Sequence, residues 1–116
     1  MIAFERGDER IRAILKGASK LGVRVMVPAS TLAQAWRGGP RSAPVARLID
    51  GCQVDSLNEE RAKEVGVRLG LRDVGDVADA QVVCCALGRR AAVATSDPDD
   101  IAALLEPGER LTVFVV

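Results

Sequence analysis

Histidine and tyrosine are absent from this 116-residue chain, and its only aromatic residues are Phe4, Trp36 and Phe114. Without histidine, Ser-His-Asp triads, imidazole general bases and most zinc sites are excluded, so any chemistry rests on carboxylates. The scarcity of aromatics leaves the core to Val, Leu, Ile and Ala, a composition that suits helices packed on a buried sheet. Charge of one sign is lacking too: 16 basic and 16 acidic residues cancel. The chain is therefore no basic protein that coats nucleic acid, and any contact with nucleic acid must be local. Cysteine is limited to Cys52, Cys84 and Cys85, an odd number with no CxxC spacing, which indicates neither a disulfide framework nor a zinc knuckle. In the apolar run VVCCAL, Cys84 and Cys85 read as small buried hydrophobes. A reducing cytosol is the expected compartment. Met1 does not open a signal-peptide pattern, and no apolar run is long enough to span a bilayer, so neither secretion nor membrane insertion is expected.

What is present is a globular composition, 48% hydrophobic and 28% charged, in a length that fits one domain, 1–116. From Ile2 to about Leu21 the apolar residues mostly recur at helical spacing, with Gly7-Asp8 as a candidate interruption. Val23 to Val27 is a β-branched run closed by Pro28, the pattern of a buried strand. Ser30 or Thr31 is expected to cap a helix through Leu32, Ala33 and Trp36 that stops at Gly38-Gly39-Pro40, and Ala43 to Ile49 forms a second helical stretch. Cys52 to Asp55 is a short strand, after which Asn58 opens a helix with Ala62, Val65 and Leu69 on its apolar face. Beyond a polar loop at Arg72 to Gly75, Asp76 begins a strongly apolar helix, Val77 to Leu87, with basic residues at its end. Ala91 to Thr95 is another buried strand, Asp97-Pro98 starts a short helix to Leu105, and Leu111 to Val116 is a last strand. This alternation predicts an α/β fold with a parallel sheet, helices on both faces, and a site at the carboxyl ends of the strands.

Two carboxylate clusters fall where that rule points. Asp76 and Asp79 lie in GDVADA on the first turn of the apolar helix, three residues apart and so nearly on one face. Asp97, Asp99 and Asp100 lie in TSDPDD, directly after a predicted strand. Each cluster also has a plain structural reading, in which Asp76 and Asp97 are N-caps, Pro98 occupies the first helical position and Asp79 complements the helix dipole. Convergence of acids from different elements, without His or Cys, is the donor set of a hard divalent cation such as Mg²⁺. A second candidate region is the loop Trp36 to Arg41, where Arg37 and Arg41 can meet phosphate and Trp36 can stack a base. Its alternative is a helix C-cap, with Trp36 in the core and Arg37 at the negative end of the dipole.

In order and spacing these segments resemble the PIN domain, and in particular the VapC-like toxin ribonucleases of bacterial toxin–antitoxin pairs. IAFERGD resembles the stretch after the family's first catalytic strand, VMVPASTLAQAWRGG its second strand and the helix after it, DVADAQVV the helix bearing the third acid, and VATSDPDDI its T-x-D motif with trailing acids. The resemblance covers essentially the whole chain. It implies a three-layer α/β/α domain and a Mg²⁺- or Mn²⁺-dependent endoribonuclease, with RNA as substrate, a cognate antitoxin as partner and a homodimer as the assembly. Asp79 matches the third acid and Asp97 the fourth, with Asp76 and Asp100 as assisting neighbours. The second acid falls at Gln34, where many members carry Glu; its amide oxygen can coordinate a metal but brings no negative charge. The first acid, an Asp ending the opening strand, has no counterpart, because Met1 stands after that point. A start assigned too late explains this better than a true truncation, since the missing strand would be central and its loss would expose two strand edges. Glu5 and Asp8 are the nearest acids, and their spacing does not show that they replace it.

Two other classes of function compete. A PIN-like chain that lost its metal site would serve as a non-catalytic module binding an antitoxin or RNA, a reading favoured by Gln34 and the absent first acid. A receiver-like signalling domain would use Asp55 as phosphoacceptor, but it needs a later Lys, and none follows Lys63.

Overall fold

The computed structural model describes residues 13, 16–18 and 20–115. Most of the expected first helix, with Phe4, Glu5, Asp8, Arg10 and Arg12, lies outside the described residues. The fold is mixed α/β, in the order β1 (Met26–Pro28), α1 (Ala29–Ala35), a 3₁₀ turn (Gly39–Ser42), α2 (Ala43–Ile49), β2 (Gln53–Asp55), α3 (Glu59–Arg72), α4 (Val77–Arg89), β3 (Val93–Thr95), α5 (Pro98–Ala102) and β4 (Val113–Val115).

The elements form close to where the sequence places them, although α5, expected to reach Leu105, ends at Ala102, and several of their ends have identifiable causes. Asn58 caps α3, its side chain accepting from the Arg61 amide at 2.9 Å, and Asp73 closes the helix in the left-handed region. On α3 only Val65 of the expected apolar face is buried; Leu69 is half-buried and Ala62 is exposed. Asp76 caps α4, which runs through Gly88 to Arg89, two residues beyond the expected stop, and ends at left-handed Arg90. Helix α4 lies at the centre of the molecule: Ala78 and every residue from Ala80 to Ala86 are buried. Helix α1 corrects an expectation. Ser30 and Thr31 lie inside it, Pro28 occupies the N-cap position, and no side chain of the helix's own caps it. A proline there costs nothing, because the first amides of a helix have no intrahelical acceptor.

The strands are short, with three residues paired in each. Strands β1 and β2 pair in parallel with Val27 opposite Val54, and β3 and β4 pair in parallel with Ala94 opposite Phe114. Instead of the single sheet expected from the alternating pattern, the described residues form two separate two-stranded sheets. Each half has its own apolar cluster. The larger surrounds β3 and joins Val65 of α3, Ala80, Val82, Val83, Cys84 and Ala86 of α4, Ile101 of α5 and Leu104. The smaller, on β1, consists of Val27, Val45 and Leu48. No helix among the described residues is long and apolar enough to cross a membrane.

Candidate functional site

The carboxylates sit where β3 and its neighbours deliver them. Gly75 turns the chain into α4 with φ at +84°, and a Cβ there would meet Leu104 Cδ1 at 3.0 Å, so this position needs glycine both for its conformation and for space. Asp76 comes next, and its Oδ1 accepts from the Asp79 amide at 2.8 Å. Asp97 stands at the end of β3, its amide donating to Thr95 Oγ1 at 3.0 Å; Pro98 then opens α5, whose first turn carries Asp99 and Asp100. The capping expectation is met at Asp76 and half met at Asp97, which occupies the N-cap position without a side-chain cap bond.

These two turns meet. Asp79 is half-buried, and its carboxyl is pushed up to about 6, first by burial and then by the negative charges of Asp76, Asp100 and Asp97. Asp76, Asp79, Asp97 and Asp100 thus share one electrostatic environment assembled from two elements. Among the described residues, no three acidic or cysteine side chains converge tightly enough to make a coordination shell. The donor chemistry fits a hard cation, since oxygen ligands that repel one another are relieved by positive charge, and Mg²⁺ takes few protein ligands beside its waters. Asp79 and Asp97, supported by Asp76 and Asp100, are the residues that would hold it.

The other expected site residues separate. Gln34 is exposed on α1. Arg37 folds back onto the end of that helix, Nη1 donating to the carbonyls of Trp36 at 2.7 Å and Ala33 at 3.5 Å, as a cation at a helix C-terminus should. Trp36 is 43% exposed, which corrects its expected place in the core under the capping alternative. The turn after it is pinned by buried Ser42, whose Oγ accepts from the amides of Arg37 and Gly38, both at 2.7 Å. Arg41, within the 3₁₀ turn, is exposed. Burial pushes the Cys85 and Cys52 thiols up, which disfavours thiolate chemistry at either.

A buried polar network joins α4 to β2 and α1, and the sequence pattern did not point to it. Gln81, fully buried on α4, accepts through Oε1 from the Ser30 amide and hydroxyl, and donates through Nε2 to Asp55 O at 2.8 Å and Asp55 Oδ2 at 3.1 Å. It thereby supplies from outside the cap that α1 lacks. Asp55, 5% exposed, is also gripped by Arg61 through two bonds of 3.1 Å, with Arg89 at 3.8 Å. Burial opposes its charge, but the bonds from Arg61 and Gln81 outweigh burial and hold the carboxyl below its ordinary range. A carboxylate so engaged has no oxygen to offer as a phosphoacceptor, which argues further against a receiver-like domain. The available signal was a single amide in an otherwise apolar helix: a polar residue at a core position requires partners. Neither a family model, nor a curated protein, nor a solved structure matches this chain.

Proposed function

We propose that the chain is a metal-dependent endoribonuclease of the PIN, VapC-like kind, the toxin of a toxin–antitoxin pair, working in the cytoplasm as a homodimer. In this reading the two half-sheets belong to the one parallel sheet of a three-layer α/β/α domain. The observation that carries the proposal is the gathering of Asp76 and Asp79 from α4 with Asp97 and Asp100 from the start of α5 at one strand end, with Asp79 raised by burial and by the charges of these neighbours. Asp79 and Asp97 hold Mg²⁺ or Mn²⁺, and Asp76 and Asp100 add negative charge around it. The cation, when bound, activates a water and stabilises phosphoryl oxygens. Asp76 also fixes the backbone on which Asp79 stands, through its bond to the Asp79 amide. Exposed Arg41 meets RNA phosphate, while Arg37 holds the end of α1 and Ser42 the intervening turn.

Cleavage of single-stranded RNA tests this, with Mn²⁺ or EDTA, beside Asp79→Asn and Asp97→Asn. The expected result is metal-dependent cleavage that both substitutions abolish. A folded chain that neither cuts RNA nor binds Mn²⁺ overturns the proposal and leaves the binding module, which is favoured by the neutral, exposed Gln34 and the lack of a tight three-carboxylate group among the described residues.

A further inference from the structure

The net charge of zero conceals an uneven distribution. From Arg10 to Ile49 the sequence holds eight of its 16 basic residues and no acidic one; carboxylates return only at Asp50. The structure turns this separation into a difference in pairing. Arg61, Lys63, Arg68 and Arg89, all beyond Asp50, each stand between 2.6 and 3.8 Å from a carboxylate. Arg24, Arg37, Arg41 and Arg47 are exposed, and no carboxylate of the described residues pairs with any of them. Three of these four share one unit, made of the end of α1, the 3₁₀ turn and α2. Ser42 closes it, because the bonds from the Arg37 and Gly38 amides to its Oγ draw Trp36 and Arg41 onto one small loop. The Trp36 ring stands in solvent while its backbone is held at both ends, its amide donating to Leu32 O at 2.8 Å and its carbonyl accepting from Arg37. From Arg24 to Gln53 it is the one large apolar side chain left exposed. A protein-binding face gathers several apolar side chains at its centre. A single aromatic ring among unpaired guanidinium groups is instead the composition that stacks a nucleobase and takes the phosphates near it.

We propose that residues 36–47 form a binding site for single-stranded nucleic acid, in which an unpaired base stacks on Trp36 and neighbouring phosphates are met by Arg41 and Arg47. A single strand is selected because a base inside a duplex is already stacked and offers no free face to the ring. Arg37 adds positive charge from the end of α1, where the carbonyls of Trp36 and Ala33 engage it. The fixed loop means that little order has to be imposed on this segment when a strand binds. The inference places the substrate of the nuclease reading and rests on that reading for RNA as the ligand, but not for metal or for cleavage.

Trp36 is the only tryptophan and the chain has no tyrosine, so its fluorescence reports on this site alone. The test is titration of the full chain with a single-stranded RNA of about ten nucleotides in EDTA, followed by Trp36 emission and by anisotropy of the labelled RNA. Saturable quenching is expected, and affinity should fall with salt at a log–log slope of about −1.4, the value for two phosphate contacts to a single strand. Arg41→Ala and Arg47→Ala should each reduce that slope by about 0.7. Trp36→Ala should weaken binding about tenfold by anisotropy, and Trp36→Phe should keep most of the affinity. A duplex of the same sequence should bind more weakly. Binding that ignores Trp36→Ala, or emission that RNA leaves unchanged, overturns the proposal; equal affinity for poly-glutamate overturns it in favour of an acidic protein partner. The nuclease reading fails separately. RNA that quenches Trp36 but is never cut with Mn²⁺ leaves this site standing and removes that reading, whereas RNA cut with Mn²⁺ at an unchanged KM in Trp36→Ala removes this site alone.

Discussion

The two halves of this molecule are held by different forces. Around β3 and β4, residues from three helices close an apolar cluster that includes fully buried Ile101 and Leu104. Arg68 of α3 then staples the segment beyond α5, donating to Leu104 O at 2.9 Å and, through both terminal nitrogens, to Glu109, whose carboxyl it holds down at about 2. Around β1 and β2 the buried apolar cluster among the described residues is Val27, Val45 and Leu48, with half-buried Leu32 and Ile49 packed against it, and much of the work of fixing position falls to Gln81 and Asp55. Apolar packing is non-directional and tolerates small adjustments, whereas a buried amide that serves four bonds specifies one arrangement and fails sharply when a partner is lost. The half-sheet that carries β1 is thus the more precisely positioned and the less deeply buttressed of the two.

Five substitutions bear on that contrast, in descending order of effect. Ile101→Ala should destabilise the chain by about 3 kcal/mol in urea unfolding, the cost of a cavity in a site with no solvent access. Such a loss is a large fraction of the stability of a domain this size. Gln81→Leu keeps the volume but takes their Gln81 bonds from the Ser30 amide and the Asp55 main-chain carbonyl, for a loss of about 2 kcal/mol. Hydrogen exchange sharpens this case: amides of Val27 and Val54 should lose protection while those of Val93 and Ala94 keep it. Equal loss in both half-sheets would show that the halves do not differ in the way described.

The third prediction sets two carboxylates against each other. Asp55 has a lowered folded pKa, so its contribution to stability is present above the unfolded value near 3.8 and disappears as pH falls below it. Asp79 is raised to about 6, so its ionised form is the unfavourable one, and its penalty grows as pH rises from about 4 to 6 and stays in full above that. At pH 7 without divalent cations, Asp79→Asn should therefore raise the melting temperature and Asp55→Asn lower it, with both differences closing below pH 4. A parallel response of the two variants would refute the assignment of opposite environments. The smallest effect belongs to Lys63→Ala. Its pair with Glu59, 3.5 Å apart, is exposed on both sides, and stability should change by less than about 0.5 kcal/mol.

Much of the local structure was legible in the residues. The start of α4 follows from Asp76 before an apolar run, and the start of α3 from Asn58, because a cap and a period are properties of a few neighbouring residues. The capping role of Asp76 and the nearness of Asp79 to it were equally readable. Strand length was not: Val23 and Leu111 have strand-forming neighbours, but a residue joins a strand only if a partner strand stands opposite it, and only three residues in each strand do. Ser30 looked like a cap and is capped instead, since the acceptor that serves it lies 51 residues away. Gln81 announced that it needed partners without saying which.

The sequence by itself determined that carboxylates must carry any chemistry here, that strands and helices alternate, and where Asp76, Asp79, Asp97 and Asp100 fall at element ends. Only the tertiary structure decided that those four share one field, that Asp55 is engaged by Arg61 and Gln81, and that the strands of the described residues form two half-sheets. The first set depends on interactions a few residues apart along the chain. The second depends on which distant segments are brought within a few ångströms of each other, and that is settled by burial and pairing across the whole domain.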